Sequence, residues 1–125
     1  MKPLVYIASA YTKGDPAINT HFQCMIFDHL MTDGIVLPYP PLWSHFQHTL
    51  FPRPYKDWVE YDLALITKMD ACLRLTAEYY SRHIKYSQQE SSGADNEVEA
   101  FLQAGKPVFY DIESLHDWAK GFTQA

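Results

Sequence analysis

The sequence predicts an α/β fold, a three-layer α/β/α sandwich of the flavodoxin or Rossmann type around a parallel sheet of four to five strands. Three observations carry this expectation. Short apolar runs at residues 4–8, 35–37, 71–75 and 107–110 have the length and composition of buried strands. Between them lie longer segments with helical periodicity or helix-capping residues. No internal repeat or linker interrupts the alternation, and 125 residues suit a single domain with a real core.

The elements follow in order. Leu4-Val5-Tyr6-Ile7-Ala8 is a buried strand, and residues 9–15 form a polar loop. Asp15-Pro16 is a helix start, with Asp as the cap and Pro in the first turn. Ile18, Phe22, Met25, Ile26, His29 and Leu30 recur at helical spacing, and Asp33-Gly34 ends the helix. Residues 35–37 make a second strand. From Pro38 to about Pro54 runs a long loop with Tyr39, Trp43, Phe46, Phe51, His45 and His48, a length that compact domains keep for function. A second helix spans 56–68, with Trp58, Tyr61, Leu65 and Ile66 on its apolar side. After the strand at 71–75, residues 76–90 are Tyr- and Gln-rich without a period, and read as an excursion over the functional face. A third helix covers 92–104, with Val98, Phe101 and Leu102 inward. The strand at 107–110 and a terminal helix at 114–120, capped by Asp111 or Ser114, complete the chain.

Composition narrows the function. Net charge is −5, which offers no electrostatic footprint for duplex nucleic acid. No run approaches the ~20 apolar residues of a membrane span, and no signal-peptide pattern is present, so a cytoplasmic location is expected. Cys24 and Cys72 are the only cysteines and read as buried thiols in a reducing compartment. His45 and His48 lack a nearby third ligand, so a loop histidine that contacts substrate is expected rather than a metal site; no organic cofactor is expected either.

In such sheets ligands bind beyond the C-terminal strand ends, where residues 9–15, the segment from Pro38, residues 76–90 and Asp111 all fall. The most informative stretch is Ser91-Ser92-Gly93-Ala94-Asp95-Asn96-Glu97. Small hydroxyl residues lead into a helix, whose N-terminus presents unpaired N–H groups and positive dipole. Glu97 lies one turn in. It is a candidate nucleophile for an anomeric carbon, or else a residue that only supports the helix dipole. Asp62 either binds a sugar hydroxyl or handles a proton, or stands solvated on its helix. Glu99 points to another face, and Asp70 reads as a turn residue. Ser91, Ser92 and Gly93 form a phosphate cradle with Ser9 and Tyr11 of the first loop, assisted by Lys13-Gly14. Tyr39, Trp43 or Phe46 would stack on a base. Neither a P-loop nor a dinucleotide-binding glycine pattern is present.

Taken together, these pieces resemble the nucleoside 2-deoxyribosyltransferase superfamily. The resemblance rests on Val5-Tyr6-Ile7-Ala8, on residues 35–37 ending in Pro38, and on Tyr61-Asp62-Leu63 with Asp70 eight residues after Asp62. It closes with Ser91-x-Gly93-x-x-x-Glu97 and Ala104-Gly105-Lys106-Pro107-Val108. The resemblance implies that Glu97 forms a covalent glycosyl intermediate, that Tyr6 orients it, and that Asp62 binds substrate and assists the leaving base. A serine at position 91 is similar to the nucleoside 5′-monophosphate N-glycosidases, where that serine helps hold the phosphate. The implied protein hydrolyses a (deoxy)nucleoside 5′-monophosphate and forms a homodimer or larger homo-oligomer. Two alternatives stand beside this expectation: a transferase that moves deoxyribose between bases, and a non-catalytic nucleotide-binding or signalling module.

Overall fold

A computed structural model describes residues 1–76 and 92–122. Its four strands are β1 (Leu4–Ala8), β2 (Leu37–Tyr39), β3 (Ala71–Arg74) and β4 (Val108–Phe109). They form one sheet in the order β2-β1-β3-β4, and each neighbouring pair is parallel. The described α-helices are α1 (Pro16–Asp33), α2 (Ser44–Leu50), α3 (Tyr55–Ile66), α4 (Ser92–Gln103) and α5 (Ile112–Lys120), with a 3-10 turn at Pro41–Trp43. The result is the α/β/α sandwich expected from the alternation. None of the described helices is long and apolar enough to cross a membrane.

Strand β1 shows why the layers form. Its side chains alternate between faces. Val5 and Ile7 join Phe22, Ile26 and Leu30 of α1 and Leu115 of α5 in one core. Tyr6 and Ala8 join Ile66 of α3 and Ala94, Val98 and Phe101 of α4 in the other. Strand β1 is therefore buried on both sides, as its continuous apolar run requires. The chain steps from β1 to β2 in one direction, then crosses back over β1 to β3. This reversal opens a crevice beyond the carboxyl ends of β1 and β3.

The caps act where the sequence places them. Asp15 Oδ1 accepts the Ala17 and Ile18 N–H groups, and Gly34 closes α1 in the left-handed region at φ 69° while donating to Leu30 O. Asp111, of the two candidates, caps the last helix by accepting the Ser114 N–H. That helix starts at Ile112, two residues before the expected position. Asp70 does more than turn the chain: its carboxylate accepts the Leu4 N–H at 2.8 Å and ties β3 to the start of β1.

Several expectations shift. The second strand pairs at Leu37–Tyr39, later than residues 35–37, because Leu37 aligns with Leu4 and Tyr39 with Tyr6. Pro38 is tolerated there because β2 is an edge strand. The region read as a loop after Pro38 instead holds the 3-10 turn and α2. Helix α2 buries no residue fully and has no side-chain N-cap, so neither periodicity nor a capping signal announces it. On α1 the buried side is Phe22, Ile26 and Leu30, whereas Ile18, Met25 and His29 face outward. Leu102, expected inward, is 55% exposed. Residues 77–91, which contain most of the expected excursion, lie outside the described residues.

Candidate functional site

A cleft of about 650 Å³ opens at the switch point. That size falls within the range of small-ligand sites. Four segments build it: the loop after β1 gives Ser9, Tyr11 and Thr12; the region from the 3-10 turn to α2 gives Leu42, Ser44 and His48; α3 and the residues before it give Arg53, Tyr55, Trp58 and Asp62; α4 gives Gly93, Asn96 and Glu97.

At its floor the Tyr6 hydroxyl donates to Glu97 Oε2. The Tyr6 ring is fully buried, held between Tyr39 and Phe101 at centroid distances of 5.9 and 5.8 Å. Burial, then the nearby Glu97 and Asp62 carboxyls, push the Tyr6 phenol well above its ordinary range, so it remains a donor. Burial likewise raises Tyr39, to about 12.

The two carboxyls in the cleft are both displaced. Burial pushes Glu97 up to about 7, against the Tyr6 hydrogen bond, which favours its charged form; the Asp62 charge adds to the rise and the Arg74 guanidinium opposes it. Burial alone pushes Asp62 up to about 7. The groups around them differ in a useful way. Glu97 has a hydroxyl donor and a cation that stabilise its anion, while desolvation is what moves Asp62. Both carboxyls titrate near neutrality, so the cleft can hold one proton between the two.

Arg74, which sequence reasoning missed, stands at the end of β3 and is only 6% exposed. Its guanidinium donates to Leu75 O and lies 3.4 Å from Asp95 Oδ1 at the start of α4. Behind the first loop, two buried amides of α1 set its shape. Asn19 Nδ2 donates to Tyr11 O at 2.9 Å and to Lys13 O at 2.7 Å. Gln23 Nε2 donates to Ile7 O at 3.1 Å and to Ser9 Oγ at 2.8 Å, and its Oε1 accepts the Leu42 N–H at 2.9 Å. Ser9 accepts this bond, which leaves its own hydrogen to donate toward the cleft. The signal for this support was present in the sequence: Asn19 and Gln23 are four residues apart, on one face of α1.

The other expected residues divide. Tyr11 lines the cleft and its hydroxyl pairs with His45 Nδ1 at 2.6 Å. Gly93 lines the cleft at the start of α4. Trp43 packs edge-on against Phe27 at 5.0 Å, and Phe46 is 58% exposed beside His45. Neither is among the cleft-lining residues; Trp58 and Tyr55 take up the aromatic places. Tyr39 supports Tyr6 from behind. Ser91 lies outside the described residues, as does the side chain of Ser92. Glu99 turns away to accept from Gln103.

Cys72 is buried and its thiol is pushed up to about 12, first by burial, so it stays protonated. Cys24, expected to be buried, is only partly so. Among the described residues, no group of three or more His, Cys, Asp or Glu side chains is arranged to hold a metal ion.

Comparison with known protein families, with characterised proteins and with solved structures gave no match.

Proposed function

We propose that the protein is an N-glycosidase that hydrolyses the base–sugar bond of a (deoxy)nucleoside 5′-monophosphate. The observation that carries this reading is the Glu97 carboxyl, partly buried, held by the Tyr6 hydroxyl, and sharing one cleft with the partly buried Asp62. Such a pair can supply a nucleophile and a proton donor at neutral pH.

In the first displacement a Glu97 oxygen bonds to C1′ as the C1′–N bond breaks. The bonding pair leaves with the base nitrogen, and Asp62 supplies the proton it needs. The positive charge that develops on the sugar is stabilised by the adjacent anion. In the second displacement water attacks C1′, its proton passes to the Asp62 carboxylate, and the C1′–Glu97 bond breaks. The sugar phosphate leaves, and both carboxyls regain their starting states. Tyr6 holds Glu97 for in-line attack. The 5′-phosphate lies at the N-terminus of α4, near Gly93 and the Ser9 hydroxyl. Neither step requires a metal or organic cofactor. The chain acts in the cytoplasm as a homodimer or larger assembly, for which the exposed Leu50 and Phe51 offer apolar surface.

The test is a chromatographic screen for released base across nucleosides and their 5′-monophosphates, in ribo and deoxy forms. Release from at least one monophosphate, lost by at least about 1,000-fold in Glu97→Ala, is the expected result. Adding a second free base separates the transferase, which yields a new nucleoside, from the hydrolase, which yields free sugar phosphate. Binding without release would instead assign a nucleotide-binding module.

A further inference from the structure

The cleft extends beyond the two carboxyls. Its wall continues along a single stripe of α3 through Tyr55, Trp58, Val59, Asp62 and Leu63, the spacing of one helical face. Trp58 is four residues before Asp62, about 6 Å along the axis at about 1.5 Å per residue. A heterocycle whose glycosidic nitrogen lies at Asp62 extends along this stripe toward Trp58, in a cleft that His48 and Arg53 also line.

Those two side chains are set as donors. His48 Nδ1 accepts the Trp58 indole N–H at 3.0 Å and the Arg53 backbone N–H at 3.2 Å. A ring nitrogen that accepts two hydrogens carries none of its own, so the imidazole hydrogen resides on Nε2. No acceptor among the described residues takes it. The same bond holds the Trp58 ring in place, roughly perpendicular to His48 at 6.2 Å. Arg53 offers only N–H groups. Its Nη1 lies 3.2 Å from Asp57 Oδ2, so its charge is already balanced by a carboxylate. The arrangement suits a neutral acceptor better than a dianionic phosphate, for which the N-terminus of α4 is the proposed site.

We infer that His48 and Arg53, with Trp58 as the wall, read the base and select one with a carbonyl oxygen on its far edge, a 4-oxopyrimidine or 6-oxopurine, over its amino counterpart. An amino group there would set N–H against N–H, and donors covered by the bound base would be left unpaired. This selection rests on the proposed placement of the sugar at Glu97 and Asp62.

Binding tests it without turnover. The Trp58 indole N–H resonance of the full chain is followed in NMR titrations with hypoxanthine against adenine and with uracil against cytosine. In parallel, base release is measured from the four corresponding deoxynucleoside monophosphates. The oxo member of each pair is expected to bind at least about tenfold more tightly, and His48→Phe or Arg53→Gln should reduce that ratio to about twofold or less. Equal affinities in the unaltered protein overturn the inference, as does absence of binding by any free base while monophosphates bind. So does an oxo-to-amino ratio unmoved in either variant while discrimination between nucleoside and monophosphate collapses, since that assigns the pair to phosphate. An oxo preference in binding without release of any base would instead refute the hydrolase while the selection stands.

Discussion

Replacing Glu97 by Gln should stabilise the protein at alkaline pH while removing its activity. The ordinary value for a glutamic acid is 4.5, and burial carries Glu97 to about 7. At about 1.36 kcal/mol per pH unit, that displacement corresponds to about 3 kcal/mol of burial penalty once the group is ionised in both folded and unfolded chains. The sign follows from proton binding. The folded state holds its proton more tightly, so the stability is fully present below the unfolded value and declines as pH rises through about 7. Gln has no charge in either state, keeps a carbonyl oxygen for the Tyr6 hydroxyl, and retains the shape. Urea unfolding followed by tryptophan fluorescence at pH 5 and pH 8 measures the difference. The variant should match the unaltered protein within about 1 kcal/mol at pH 5 and exceed it at pH 8, the gap widening by about 2–3 kcal/mol between the two. A gap independent of pH, or a larger loss at pH 8 than at pH 5, would refute the claim that Glu97 is held desolvated in the folded state.

Further outcomes concern the same cleft. Base release should follow a narrow bell centred near pH 7: its acid limb reports ionisation of Glu97 and its alkaline limb loss of the Asp62 proton. Asp62→Asn should flatten the alkaline limb and lower kcat by about 10²–10⁴-fold, as steady-state kinetics across pH would show. Tyr6→Phe removes the hydroxyl that favours the Glu97 anion, so the acid limb should move to higher pH in the same assay, with the largest loss of rate below pH 7. Gln23→Leu leaves Leu42 N–H and Ile7 O without a partner and should cost about 1–3 kcal/mol in urea unfolding.

Legibility differed by element for physical reasons. Asp15-Pro16, Gly34 and Asp111 were readable because caps depend on the dihedrals and hydrogen bonds of a few adjacent residues. Helix α2 was not, because it has neither cap nor buried stripe and is held by neighbours such as α1. Glu97 could be singled out from its place one turn into a helix after small residues. Arg74 read as one polar residue in an apolar strand, and nothing local told that it reaches the start of α4. Residue order pointed to Trp43 as a stacking surface and to Trp58 as part of the apolar side of its helix, and the structure places Trp58, not Trp43, in the cleft lining. Packing of Trp43 on Phe27, and of Trp58 along the cleft, separated them.

From residue order alone came the alternation of strand and helix, the polarity of the sheet, and the edge at which a ligand would bind, since periodicity and turn chemistry are local. Which groups meet there is a different matter. Tyr6 and Glu97 are 91 positions apart, and they touch because β1 lies at the centre of the sheet and α4 packs on the face to which Tyr6 points. The proton affinity of the carboxyls, the donor edge of His48 and the burial of Arg74 against the start of α4 all depend on desolvation and on contacts between elements distant in the chain. Those exist only once the layers have closed.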